Sequence, residues 1–287
     1  MIGTLCHGET EDMSTNRILK GMYRSKLGAF KRFFLKRRIT SKLVGTFFDS
    51  RMSKPYIKYF LNMYPDIVDH AHEFESPDGD ITQFSTFNHF FYRKLSPHGR
   101  TVRPIDMHEN SVVSPADCHL FVVDDLSKNP DFYVKGCTFN LNKFVDNTAM
   151  AHNYRDGTLL LCRLSPNDYH RFHFPFDCTP HRPVRIRGNL ESVNPIAYTP
   201  ITLHSSGNDG LYSAGVQPLT DNERHVITLT SDRCGDVLCV VVGAMMVGQI
   251  HYTYTEGHVY SKGSEMGYFG FGASTVVLIF KRGTIDV

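Results

Sequence analysis

Eight short apolar runs, each closed by glycine, proline or polar turn residues, crowd the chain beyond residue 110: 111–113, 120–123, 158–162, 184–186, 225–229, 237–242, 249–254 and 274–280. Their Val, Ile, Tyr and Phe content favours strands, and the breakers between them exclude long helices. The longest apolar stretch, 237–250, is 14 residues and contains Gly243 and Gly248, which suits a buried strand and turn and is too short for a bilayer span. A β-rich body from about residue 110 onward is therefore expected, without internal repeats. With 41% hydrophobic and 21% charged residues the chain builds a core, and wholesale disorder or a collagen-like chain is excluded. A length of 287 residues allows one large domain or two modest ones.

The head of the chain has a different character. Residues 16–58 hold 13 Lys and Arg against one acid, Asp49. A chain with 31 basic and 29 acidic residues is thus divided into a strongly basic segment and an acidic remainder. Leu27, Phe30, Phe34, Ile39, Leu43 and Phe47 recur at spacings of three to five, interleaved with Lys31, Arg32, Lys36, Arg37, Arg38 and Lys42. That pattern predicts a basic amphipathic helical region over 16–69, after an acidic tail at 1–15 and with a break at Pro65. Such a segment suits an anionic membrane surface, a nucleic acid, or a helix packed on its own domain with its charges in water. Residues 1–15 carry three acids, no Lys or Arg and no continuous apolar core, so no signal peptide is read there. The 7 cysteines form no C-x-x-C pair, and free thiols in a reducing compartment are expected.

Four segments carry more chemistry than packing requires: 111–119, ending in Asp117 and His119; 163–175, with Asp168, His170 and His173; 243–248; and 262–277. An Asp, a His and a Ser from distant segments can make a nucleophilic triad, in which the imidazole takes the serine proton. His170 and His173 are spaced for a shared metal, but no third ligand stands at a recognised interval, so no metal is expected. Gly267, Gly270 and Gly272 lack the Lys-Ser/Thr pair of a phosphate loop; a tight turn delivering Ser274 to a strand start is the better local reading.

Nine motifs in order together resemble the phosphatidylserine decarboxylase family of pyruvoyl-dependent, self-processing enzymes. They are Phe84-Ser-Thr-Phe-Asn-His-Phe-Phe-Tyr-Arg93-Lys-Leu, Arg103-Pro-Ile, Ser114-Pro-Ala-Asp117 and Leu164-Ser-Pro-Asn-Asp168-Tyr-His170-Arg-Phe-His173. Then come Ser192-Val-Asn194-Pro, Asn222-Glu223-Arg224, Val241-Val-Gly-Ala, Lys262-Gly-x-Glu265-x-Gly267 and Phe271-Gly-Ala-Ser274-Thr-Val-Val. The resemblance implies an α+β protein, with N-terminal amphipathic helices followed by a β-rich decarboxylase domain over 70–287 and self-cleavage between 273 and 274. On the family pattern Asp117, His170 and Ser274 form the processing triad, and His173 serves decarboxylation, with His170 contributing to both halves. The Ser274 hydroxyl attacks the Ala273 carbonyl to give an ester, β-elimination releases the upstream chain, and a covalent pyruvoyl group derived from Ser274 remains. That group is an electron sink for decarboxylation of phosphatidylserine to phosphatidylethanolamine.

The resemblance also implies a homodimer and a peripheral association with an anionic membrane through the basic segment, and it argues against nucleic acid as a partner. Two positions depart from the family pattern: Ala273 stands where glycine is usual before the reactive serine, and Cys118 where glycine is usual after the acid. The alternatives are a non-processing, inactive membrane-lipid binding relative, and a decarboxylase of an aromatic amino acid.

Overall fold

Continuous apolar runs such as Thr-Val-Val-Leu-Ile-Phe, without polar alternation, require a sheet covered on both faces, and that is the architecture found. The computed structural model describes residues 38–128, 133–134, 137–191, 201–205, 208–212, 217–244, 249–272 and 274–287. The tail at 1–15, the basic stretch 16–37, the motif at 192–195, residues 245–248 and Ala273 lie outside the described residues.

Among the described residues the strands are β1 (His119–Val123), β2 (Tyr133–Val134), β3 (Cys137–Thr138), β4 (Thr158–Leu164), β5 (Arg171–His173), β6 (Thr179–Pro180) and β7 (Val184–Ile186). They continue with β8 (Ile201–Ser205), β9 (Asn208–Tyr212), β10 (Arg224–Ser231), β11 (Gly235–Val242), β12 (Ile250–Tyr252), β13 (Glu265–Phe269) and β14 (Ser274–Phe280). An antiparallel seven-stranded sheet runs β1-β4-β14-β11-β10-β6, with β7 also paired to β10. A three-stranded sheet, β12-β13-β5, lies over one face, and β2–β3 and β8–β9 are hairpins.

Side-chain alternation sorts the central strands between two cores. Leu160, Cys162, Val276, Leu278 and Phe280 pack with Phe172 and Phe269 of the smaller sheet and with Phe174, just after β5. Leu159, Leu161, Val277 and Ile279 pack on the other face against Phe144 and Val145 of α6 (Leu141–Val145), and Ala151 and Tyr154 of α7 (Thr148–Tyr154). Asn140 and Asn147 cap these two helices, accepting the N–H groups of Lys143 and Met150.

The N-terminal layer is built from short helices: α1 (Arg38–Phe48), α2 (Pro55–Met63), α3 (Asp66–Asp69), α4 (Phe87–Phe91) and α5 (Pro97–Val102). Pro55 and Pro97 open α2 and α5, where a missing N–H leaves no bond unmade. Thr86 and Ser96 cap α4 and α5. The expected break at Pro65 separates α2 from α3. Phe48, Ile57, Phe60, Leu61, Phe87 and Phe91 join one cluster. This cluster joins residues on both sides of position 70. No helix among the described residues is long and apolar enough to cross a membrane.

Two sequence expectations differ from the structure. Residues 111–113 are extended but join no ladder, because Pro115 removes a donor just where pairing with β5 would continue; Val113 N–H reaches the Pro175 carbonyl at 3.0 Å instead. Strands β5 and β13 carry Arg171, His173 and Glu265 and gave no apolar-run signal; they pair across a register shift between Glu265 and Gly267. Gly267 is required there, since a Cβ would lie 2.2 Å from the His251 carbonyl oxygen.

Candidate active site

Register places the motif residues at one end of the large sheet. His119 of β1 pairs with Arg163 of β4, so Asp117 lies just before β1 where β4 is about to end. Ser274, the first residue of β14, pairs with Leu164, the last of β4. On the far side Thr275 pairs with Val242, the last residue of β11, and Val242 with Arg224, the first of β10. The 165–170 loop, the Asn222-Glu223 motif and the segment after β11 therefore share this end. Neighbouring strands lie about 5 Å apart, so β1 and β14, flanking β4, run within about 10 Å of each other. Ser274 is thus brought to the same sheet end as Asp117 and the two histidines, while Ala273 falls outside the described residues.

His170 is fully buried, with its ring 3.9 Å from that of Phe91. Its Nδ1 lies 2.8 Å from the Asp168 carbonyl oxygen, which can only accept, so Nδ1 carries the proton and Nε2 offers a lone pair. That Nε2 is buried and has no hydrogen-bond partner among the described residues. Burial pulls the basicity of His170 down to about 3, despite the bond to Asp168, and the ring stays neutral at physiological pH.

His173 is held differently. Its Nδ1 donates to the Gly263 carbonyl at 2.9 Å, and its Nε2 accepts from Tyr169 Oη at 3.2 Å. Burial lowers its pKa, opposed by the bond to Gly263 and by the carboxylates of Glu265 and Asp117. The His173 N–H donates to the Pro115 carbonyl at 2.7 Å, which ties β5 to the segment leading into Asp117.

Asp117 takes the Arg103 Nε on both carboxylate oxygens, at 2.9 and 3.1 Å, while Arg103 Nη1 reaches Glu73 at 2.6 Å. Among the described residues Asp117 makes no hydrogen bond to His170, whose orienting acceptor is the Asp168 carbonyl. Asp117 instead shares with His173, Tyr169, Arg103 and Glu265 the lining of a cavity of about 580 Å³. Glu265 is fixed by Arg171 Nη1, 2.9 Å from each carboxylate oxygen.

A second cavity, about 390 Å³, meets the first at Asp117, Arg103 and Tyr169 and reaches Asp168 and Arg93. Burial raises the Asp168 pKa to about 6, opposed by the Ser165 N–H at 2.6 Å. Arg93 is 2% exposed, lies 4.0 Å above the Phe74 ring and donates Nη2 to the Asn167 carbonyl. It therefore braces the loop that presents His170.

Three of these contacts were invisible in the sequence. Glu73 stands in none of the nine motifs, and Arg103 and Tyr169 stand inside motifs without a role of their own. Only the adjacency of Tyr169 to two functional residues pointed to its hydroxyl.

A serine that opens β14 thus shares one end of the sheet with two buried histidines and a charged cavity. Residues 87–287 match the family model described as phosphatidylserine decarboxylase. The chain is 35% identical over 280 residues to a phosphatidylserine decarboxylase proenzyme of Clostridium perfringens (strain SM101 / Type A), covering 97% of this chain and 87% of the relative. It is 37% identical over 280 residues to the Clostridium novyi (strain NT) proenzyme, with the same coverage. A proenzyme of Chlamydia trachomatis serovar L2 is 34% identical over 274 residues, 95% of this chain and 83% of that protein. The chain belongs to the phosphatidylserine decarboxylase family.

Proposed function

We propose that this protein is a proenzyme that cuts its own chain before Ser274 and then converts phosphatidylserine to phosphatidylethanolamine and carbon dioxide. The observation that carries the reading is the convergence of Asp117, the 165–173 segment and Ser274 on one end of the sheet, set by strand register. A pyruvoyl group made from the serine at position 274 suits these residues, because that serine's hydroxyl is the kind of donor that the buried, unpartnered lone pair of His170 Nε2 lacks. Such a pyruvoyl group supplies the electron sink for decarboxylation.

The chain's own residues then divide the proton work. The family pattern pairs Asp117 with His170 as the processing triad. The shared cavity and the field of Asp117 at His173 favour a second allocation, in which Asp117 supports His173 while His170 acts as the neutral base presented by the Asp168 carbonyl. Asp117→Asn beside His170→Ala separates the two: loss of chain cleavage in both supports the family pairing, and loss in His170→Ala alone supports the second allocation.

The anionic lipid reaches the site through a peripheral membrane attachment. Leu43, Met52, Tyr56 and Tyr59 are exposed on the N-terminal layer beside the exposed Arg51, Lys54 and Lys58, which supports contact with an anionic bilayer; the reducing compartment expected from the cysteines belongs to the same proposal. The functional test is release of carbon dioxide from phosphatidylserine vesicles, with an aromatic amino acid as the competing substrate. Turnover of the lipid that disappears in Ser274→Ala is the expected result; turnover of the amino acid alone contradicts the assignment.

A further inference from the structure

Between β13 and β14 the chain is held from the side of the N-terminal layer. The Phe271 N–H donates to Asn88 Oδ1 at 3.1 Å, and Asn88 Nδ2 donates to Asp49 Oδ1 at 2.6 Å. Asn88 is fully buried. The Phe271 ring meets Phe48 and Phe87 at 4.9 Å, Phe91 at 5.2 Å and Phe60 at 6.1 Å, all edge-on at 63° to 90°. Gly272 follows with φ 141°, a conformation open to glycine, so the chain changes direction directly after Phe271. Phe91 also carries the His170 ring.

We infer that Asn88 and the aromatic socket around Phe271 anchor the acyl side of the scissile bond, making Asn88 and Phe271 positioning residues for self-cleavage. The inference rests on the processing proposed above. In that step the Ser274 oxygen bonds to the Ala273 carbonyl carbon, the 273–274 C–N bond breaks, and the hydroxyl proton ends on the freed amine. No oxidant or further reactant is consumed. The hydroxyl belongs to a residue fixed by the β14–β4 ladder. The carbonyl lies upstream of that ladder and beyond β13, which ends at Phe269. Upstream of it, the Gly270 N–H reaches the Gln249 carbonyl at 3.0 Å and the Phe271 N–H reaches Asn88. Attack therefore joins two groups held by different layers, and its rate depends on how closely both are placed. Packing alone would need only the phenyl ring. A buried asparagine spending one bond on the Phe271 backbone and another on Asp49 fixes the position of the main chain, since a buried amide is tolerated only when it is satisfied. After cleavage the same socket retains the new C-terminal end.

The test uses the full chain, with Asn88→Ala and Phe271→Leu made separately. Phe144→Leu is the control, a fully buried position in the core on the opposite face of the sheet. Fragment formation is followed by intact mass, with thermal unfolding of each uncleaved chain beside it. Both anchor variants are expected to cleave at least about tenfold more slowly than the wild type, and Phe144→Leu at the wild-type rate despite a lowered melting temperature. Hydroxylamine, which splits an ester and leaves an amide intact, should release the upstream fragment from the wild type and correspondingly less from the anchor variants, because their defect precedes ester formation. Folded anchor variants that cleave as fast as the wild type overturn the inference, as does equal slowing by Phe144→Leu. A wild-type chain that never cleaves overturns the processing reading itself, and the anchor with it.

Discussion

The seven-stranded sheet and the N-terminal aromatic layer grip opposite ends of one short segment, and they do so by different means. The sheet holds β14 through a backbone ladder on both sides, from Ser274 to Phe280 against β4 and from Thr275 onward against β11. The layer holds Phe271 through ring packing and one buried amide. Backbone pairing sets position through main-chain bonds, whereas a socket of rings sets it through side-chain packing. The difference assigns the serine side to main-chain pairing and the acyl side to side-chain packing, and it predicts that stability and processing respond to different substitutions.

The largest effect expected is on the sheet. Phe280 is fully buried at the end of β14, and Phe280→Ala should cost about 3–5 kcal/mol in denaturant unfolding. Phe60→Leu, in the layer, should cost only about 1 kcal/mol and still slow cleavage. Equal stability losses with equal cleavage rates would erase the contrast between the two regions.

Acid should act next in size, and it tests both regions together. His170, against the layer, and His225, on β10 and 2.8 Å from Tyr252 Oη, have basicities lowered by burial from 6.5 to about 3 and about 4. Their contribution to stability is complete above the unfolded value and is lost as pH falls toward those folded values. Each adds a slope of up to about 1.4 kcal/mol per pH unit in that window. Asp168 acts in the opposite sense: its pKa is raised by burial to about 6, so its contribution is present below about 4 and lost as pH rises through 6. With two histidines against one aspartate, unfolding at pH 5.0 should require less denaturant than at pH 7.5. Equal or greater stability at pH 5.0 contradicts the buried, neutral histidines.

The smallest effect on folding is expected at the outer face of the layer. Tyr59 is 60% exposed, and Tyr59→Ser should change stability by no more than about 0.5 kcal/mol. Lys58→Gln should weaken sedimentation with anionic vesicles by about 1 kcal/mol, roughly fivefold in affinity, and leave neutral vesicles unaffected. Unchanged binding would remove this face from the membrane contact.

The same contrast explains what could be read from the sequence. The central strands β4, β11 and β14 are legible because burial on both faces leaves uninterrupted apolar runs, and 274–280 corresponds to β14 residue for residue. Strands β5 and β13 hide because their Arg171, His173 and Glu265 line or brace the site. The four chemical positions, Asp117, His170, His173 and Ser274, were accessible only through motif order, since 15 histidines permit many pairings. Asn88 and Phe271 lie inside those motifs, yet their partners are far away in sequence: Asp49 for Asn88, and Phe48 and Phe60 for Phe271. Contacts of that kind are tertiary, and local pattern carries no trace of them.

Intact-mass spectrometry of the purified chain tests the central claim most directly. The account predicts two species, an upstream fragment ending at Ala273 and a short fragment whose position 274 is a pyruvoyl group. A single unmodified chain near 32.7 kDa under processing conditions would contradict it.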